Sequence, residues 1–167
     1  MSVTALRETL ERARSLIDQR YTPGEGKGIS EITEFFAKDW SRGLEQFADH
    51  YHDPEAASAL GLRTLRVPPS FIQLVARGPS YDVIGIPEEL VTLHGESEYE
   101  FFADLEVGDT LTAEARIVDV TEKRSERLGV MGVVVTLNEY SNQHGTVVAT
   151  HRWTSLMYSA AEAISRL

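Results

Sequence analysis

The 167-residue sequence has no cysteine, which excludes disulfide scaffolds, thiol catalysis and zinc–thiolate centres. It lacks any run of about 18 apolar residues, so no segment reads as a membrane-crossing helix. Met1 to Leu16 is charged throughout and has none of the apolar centre a signal peptide needs. Positive charge is scarce: 16 Lys and Arg stand against 26 Asp and Glu, a formal charge of −10. Phosphate backbones and anionic lipid both demand a basic footprint, so nucleic-acid and membrane partners are not expected. Several motifs are missing as well. No G-x-G-x-x-G follows a strand-like segment and no G-x-S-x-G elbow is present. None of the five histidines forms H-E-x-x-H or joins a second histidine and a carboxylate at a metal-binding spacing. Dinucleotide folds, elbow-type serine hydrolases and a metal site are therefore disfavoured. What is present, 42% hydrophobic and 25% charged residues, is ordinary globular composition. A chain of this length can bury about 70% of its surface in one domain. The expectation is an acidic, cytoplasmic domain.

The hydrophobic period divides the chain into two halves. Leu6, Leu10, Ala13 and Ile17 recur at helical spacing, predicting a helix from about Thr4 to Arg20, with Glu8 four residues before Arg12. The segment Thr22 to Gly28 breaks it and reads as a flexible connector, since the phosphate-loop spacing is absent. A second helix is predicted over Glu34 to Gln46, carrying Phe36, Trp40 and Leu44 on one stripe. A third is sharply bounded, with Asp53 as N-cap, Pro54 at the first position and Gly61 as stop. After Pro68-Pro69, Ser70 to Ala76 reads as a buried apolar helix, and Gly78-Pro79 and Gly85 to Pro87 mark a loop. From there the period becomes two. Tyr99 and Phe101 alternate with glutamates, Leu111 to Ile117 alternates again after the Gly108-Asp109 turn, and Leu128 to Tyr140 and Thr146 to Tyr158 complete the strands. Val133 to Val135 predicts a strand covered on both faces. Helices first and long hairpin-connected strands afterwards predict an α+β fold with an antiparallel sheet. The segment after Pro69 is the expected apolar helix in its concave face.

Candidate chemistry concentrates in two places. Asp49-His50-Tyr51-His52-Asp53 is the densest group of acids and bases, although Asp53 is already explained as a helix cap. His94-Gly95-Glu96 precedes a strand. His144 falls in a hairpin loop. His151 shares one side of the last strand with Trp153, and Trp40 and Trp153 read as core.

In order along the chain, Tyr51-His-Asp-Pro-Glu-Ala-Ala57, Gly61, Val67-Pro-Pro-Ser-Phe71, His94-Gly-Glu96 and Val107-Gly-Asp-Thr-Leu111 resemble the MaoC-like dehydratase/hydratase family. The likeness is to its N-terminal-type domain, over roughly Trp40 to Tyr158. The resemblance implies a hot-dog fold, a long antiparallel sheet wrapped around a central helix, here with an N-terminal helical extension. Residues 1–28 would form that extension and its connector, and residues 29–167 a single hot-dog domain. It implies reversible hydration of an enoyl thioester, or dehydration of a 3-hydroxyacyl thioester. The substrate would be carried on coenzyme A or acyl carrier protein, with no other cofactor. Catalytic members supply a general acid–base pair from D-x-N-P-x-H. Placed by the shared Asp53 helix, those positions hold Gln46, Ala48, Asp49 and Tyr51 in this sequence. Glutamine is no base, and tyrosine, with a pKa of about 10, is a poor proton shuttle near neutrality. The resemblance therefore implies the non-catalytic half of a paired unit. Pro69, Phe71, Ile72, Val75 and His94 would bind substrate, and a second hot-dog subunit would supply Asp and His. A heterodimer is favoured over a homodimer. The alternatives are a self-sufficient homodimeric hydratase using Asp49 with His50 or His52, and an inert acyl-thioester binder.

Overall fold

The computed structural model describes residues 2–22, 28–75 and 81–165. Most of the expected connector (residues 23–27), Ala76 of the expected buried helix and the Gly78-Pro79 loop lie outside the described residues. Helices α1 (Ser2–Ser15), α2 (Glu34–Gly43) and α3 (Pro54–Ala59) come first, with a 3-10 turn at Asp49–Tyr51 before α3. Strand β1 (Arg66–Val67), a 3-10 segment Pro69–Leu74 and the short α4 (Tyr81–Ile84) follow. The strands β2 (Leu90–Phe101), β3 (Leu105–Glu106), β4 (Thr112–Ser125), β5 (Gly129–Ser141) and β6 (Val147–Ser159) precede a terminal α5 (Ala160–Ile164). The long strands form one antiparallel sheet in the order β2-β6-β5-β4, and β1 pairs with β3. This is the hot-dog architecture expected for the sequence.

Register places alternate residues on the inner face of the sheet. Gly132, Val134, Thr136, Asn138 and Tyr140 of β5 oppose Met157, Ser155, Trp153, His151 and Ala149 of β6. The face is apolar at both ends. At one end Leu6, Leu10 and Ala13 of α1 are fully buried in one cluster with Ile117, Val134 and Met157. Gly132 permits this approach, because a Cβ there would lie 2.5 Å from Leu10 Cδ2. At the other end Ile32, Phe71, Ile72, Leu111, Tyr140 and Val148 form a second cluster beneath α2 and the 3-10 segment. Val133, Val134 and Val135 are all buried, as a strand covered on both faces requires.

Two expected elements differ in kind. The first helix ends at Ser15 rather than near Arg20, and Ile17 is not on it. The outer edge of β4 presents unpaired backbone groups that must find partners. Residues after α1 supply them: Asp18 N donates to Ile117 O at 3.0 Å and Tyr21 N to Ala115 O at 2.8 Å. The segment after Pro69 is a 3-10 segment, Pro69–Leu74, rather than the start of the buried helix expected from Ser70. Phe71 N donates to Pro68 O and Val75 N to Ile72 O, Val75 itself is extended at ψ 145°, and the Leu74 carbonyl accepts from Ile29 N at 2.8 Å. The long helix that packs on the inner face of β4, β5 and β6 is α1. It shares its core with the sheet.

Candidate functional site

The acid–base cluster sits between α2 and α3. Asp53 caps α3 through Oδ1, which accepts from Glu55 N at 2.9 Å, and Pro54 occupies the first turn. This leaves the residues before it in a tight 3-10 turn. The Asp49 carbonyl accepts from both His52 N and Asp53 N, while the Asp49 side chain is exposed. His52 Nε2 lies 2.8 Å from the Gln46 carbonyl oxygen. The His50 ring tilts against Tyr51 with centroids 4.2 Å apart, and its Nε2 is buried without a hydrogen-bond partner. Tyr51 is 9% exposed. Within this cluster no carboxylate is hydrogen-bonded to an imidazole, so the structure does not join Asp49 to His50 or His52 as a proton-transfer pair.

The expected substrate-binding residues divide. Phe71, Ile72 and Val75 are buried in the core, with the Trp40 indole edge-on to Phe71 at 6.3 Å and its Nε1 donating to Ser70 Oγ at 3.1 Å. Pro69 and His94 reach the surface. The loop leading to Pro68-Pro69 is anchored by an ionic network that the sequence reading saw only as a turn. Glu106 Oε2 accepts from Arg63 N at 2.6 Å and Thr64 N at 2.9 Å, and the Arg63 guanidinium reaches Asp109 Oδ1 at 2.7 Å. Asp109 is fully buried and also accepts from Glu106 N and Gln143 Nε2. Its hydrogen bond raises the Arg63 pKa above the usual guanidinium value, so Arg63 is a permanent charge here.

A third group lies on the inner face where β2 meets β6. A bulge between His94 and Glu96 puts His94 and Ser97 on the same side, which is how bulges re-aim side chains. Gly95 makes the bulge fit, since a Cβ would lie 3.1 Å from the Thr154 carbonyl oxygen. His94 stacks with Trp153 at 6.3 Å, and Tyr99 stacks on the buried His151 at 4.1 Å and 4°. Ser97 Oγ lies 2.8 Å from His151 Nε2 and 3.5 Å from His94 Nε2. Sequence reading singled out the two histidines, took Tyr99 only as an alternating strand residue and passed over Ser97. The available signal was that Ser97, Tyr99 and Phe101 alternate on the side of the strand away from its glutamates.

Residues 24–151 match the family described as the FAS1-like dehydratase domain region. The chain belongs to this family. It is 31% identical over 148 residues to a probable enoyl-CoA hydratase alpha subunit of Thermomonospora curvata, covering 79% of this chain and 46% of the relative. The chain thus spans about half the length of the curated relative it matches. Two solved structures share its fold. The ChsH1-ChsH2 complex of Mycobacterium tuberculosis superposes with a TM-score of 0.70 at 18% identity, over 95% of this chain and 99% of that one. The truncated HadBC (3R-hydroxyacyl-ACP dehydratase) complex of the same organism gives 0.64 at 22% identity, over 85% and 96%. MaoC-like dehydratases also share the fold. The resemblance to that family read from the motifs is therefore confirmed: this is a MaoC-like hot-dog domain of dehydratase/hydratase kind.

Proposed function

We propose that this FAS1-like dehydratase chain is the substrate-shaping half of an enoyl-thioester hydratase or 3-hydroxyacyl-thioester dehydratase, and that a second hot-dog subunit supplies the catalytic Asp and His. The observation that carries this reading is the content of the loop before α3. The cap and proline that position the family's catalytic loop are retained, with Asp53 Oδ1 on Glu55 N. The proton-moving positions hold Gln46, Ala48, Asp49 and Tyr51, and the Tyr51 ring is packed inward. Hydration adds hydroxide at C3 and a proton at C2, which needs an acid–base pair beside those carbons and N–H donors on the thioester carbonyl. This chain keeps the scaffold and not the pair.

The second subunit has a place to dock. Among the described residues β2 is paired on one side alone, and its far end exposes Phe101 and Phe102. The relative named as an alpha subunit and the two-chain complexes sharing the fold support a heteromer over a homodimer. The reading requires no cofactor beyond a coenzyme A or acyl carrier protein thioester and places the chain in the cytoplasm. The test is to purify the chain alone and with its genomic neighbour, then follow loss of the ultraviolet absorbance of a conjugated enoyl thioester. Activity confined to the mixture is expected. Equal activity in the chain alone overturns the reading.

One observation favours a self-sufficient homodimer, the unpartnered His50 Nε2. Buried polar nitrogens are normally satisfied, and an orphan calls for a ligand, a water or a role. His50→Ala separates the two: at least a hundredfold loss of hydration by the homodimer follows from a catalytic His50, and no loss in the mixture follows from the favoured reading.

A further inference from the structure

On the β2–β6 wall a serine hydroxyl meets a buried imidazole. Ser97 opposes Trp153 and His151 opposes Tyr99 in the strand register, so Ser97 and His151 are diagonal neighbours on one face. Their polar atoms are 2.8 Å apart, within the range that activates a hydroxyl. Ser97 is exposed while His151 is fully buried, its ring plane set by the parallel Tyr99 ring. Both stand on strands, which hold such a geometry more tightly than loops do. The bulge at Gly95, where no Cβ fits without displacement, brings the exposed His94 imidazole within 3.5 Å of the same oxygen. Trp153, Tyr99 and Phe101 form an aromatic surface beside it.

We propose that Ser97 and His151 form an acyl-accepting couple that cleaves acyl thioesters or activated esters. This activity goes beyond hydration and does not depend on it. In the tautomer with hydrogen on Nδ1, His151 Nε2 accepts the Ser97 proton. Ser97 Oγ forms a C–O bond to the acyl carbonyl carbon, the C–S bond breaks, and the leaving thiolate takes the proton from His151. Water then attacks the acyl-serine, giving one proton to His151. The carboxylic acid departs as that proton returns to Ser97 Oγ. No oxidant, metal or further reactant is needed.

The test uses the full chain alone, with p-nitrophenyl butanoate and butanoyl-coenzyme A as probes. The expected result is p-nitrophenol and thiol release, with a butanoyl mass on the Ser97 peptide that Ser97→Ala abolishes. A second measurement needs no turnover. Because the chain has no cysteine, S97C introduces a single thiol whose iodoacetamide reactivity reports the couple. Each unit by which the imidazole lowers a thiol pKa gives about tenfold more thiolate at pH 7. The S97C thiol should therefore alkylate about tenfold faster at pH 7 than the control S58C on exposed α3, and His151→Asn should remove that excess. Absence of a Ser97 adduct together with equal alkylation of S97C and S58C overturns the proposal. Loss of hydratase activity in the two-chain mixture would not bear on it, so the two readings fail separately.

Discussion

Replacing Gly132 by alanine tests whether α1 belongs to the core or merely adjoins it. The added methyl would lie 2.5 Å from Leu10 Cδ2 and 3.2 Å from Leu10 Cδ1 and Cγ. Carbon atoms do not approach below about 3.5 Å without repulsion. Leu10 has no exposed surface and is enclosed by Val134, Met157 and the rest of its cluster, so it cannot swing aside freely. Overpacking of this kind costs about 1–3 kcal/mol. The reduced freedom of the unfolded chain offsets about 0.4–1 kcal/mol of that. A net loss of about 1–2 kcal/mol is expected. Leu10→Ala alone empties the same space and should cost about 2–5 kcal/mol. In the double variant the G132A methyl enters the room that Leu10 vacates. The pair should then be less destabilised than the sum of the singles by about 1–2 kcal/mol, the coupling typical of residues in contact. Urea denaturation followed by circular dichroism at one fixed protein concentration measures all three, since association would shift apparent stability. Additive losses, or a Leu10→Ala cost under about 0.5 kcal/mol, would refute the packing of α1 on the sheet.

Other perturbations have equally definite signs. Asp109→Ala strips three donors, the Arg63 guanidinium, Glu106 N and Gln143 Nε2, of their buried acceptor; with Arg63 half in solvent, a loss of about 1–3 kcal/mol is expected in the same urea assay. Asp53→Ala removes the cap on Glu55 N and should cost about 1 kcal/mol, whereas Asp53→Asn should cost little. The Glu122 carboxyl is held below its usual value of 4.5 by the hydrogen bond and charge of Arg7, with Arg124 and Arg14 adding to it. A lowered folded pKa contributes stability above the unfolded value, and that contribution disappears as pH falls through the folded one. Glu122→Gln should therefore lower stability slightly at pH 7 and not at pH 2, and salt should shrink the difference because the pair is exposed.

Local rules read some parts of this chain well. Asp53-Pro54 and Gly61 bound α3 where capping chemistry predicts, and Gly61 sits at φ 81°. Alternation from Leu111 onward placed β4, β5 and β6, because a strand with a buried face announces its period. The errors came where tertiary partners override local preference. Ile17 fits the helical stripe of Leu6, Leu10 and Ala13, but the unpaired edge of β4 captures the backbone just after Ser15. Phe71 and Ile72 are as apolar as a buried helix demands, yet the chain turns extended at Val75 and the Leu74 carbonyl bonds across to Ile29 N. The site followed the same division. Histidines drew notice as residue types, while Ser97 gained its meaning from a bulge and a diagonal neighbour that adjacency in sequence does not record.

The inner face of the sheet argues that this domain was not shaped for stability alone. Between its two apolar clusters runs a band of Thr136, Asn138, His151 and Ser155, all buried and all on one face. Transferring a hydroxyl or amide from water into such a setting costs about 1–3 kcal/mol unless it is hydrogen-bonded. Valine at these four positions would extend the core that Val134 and Met157 begin and carry no such cost. The polar band therefore needs compensation, and part of it is present. Asn138 Nδ2 donates to the His151 carbonyl at 3.3 Å, and Ser97 bonds the His151 ring at 2.8 Å. These bonds hold a histidine beneath an exposed serine on β2, which among the described residues is paired on one side alone. A second hot-dog subunit docking on β2 would roof that serine and sharpen its electrostatics by excluding water. Thiol release from butanoyl-coenzyme A by the two-chain mixture should then exceed that of this chain alone, and an equal rate would place the Ser97 couple outside the shared cleft.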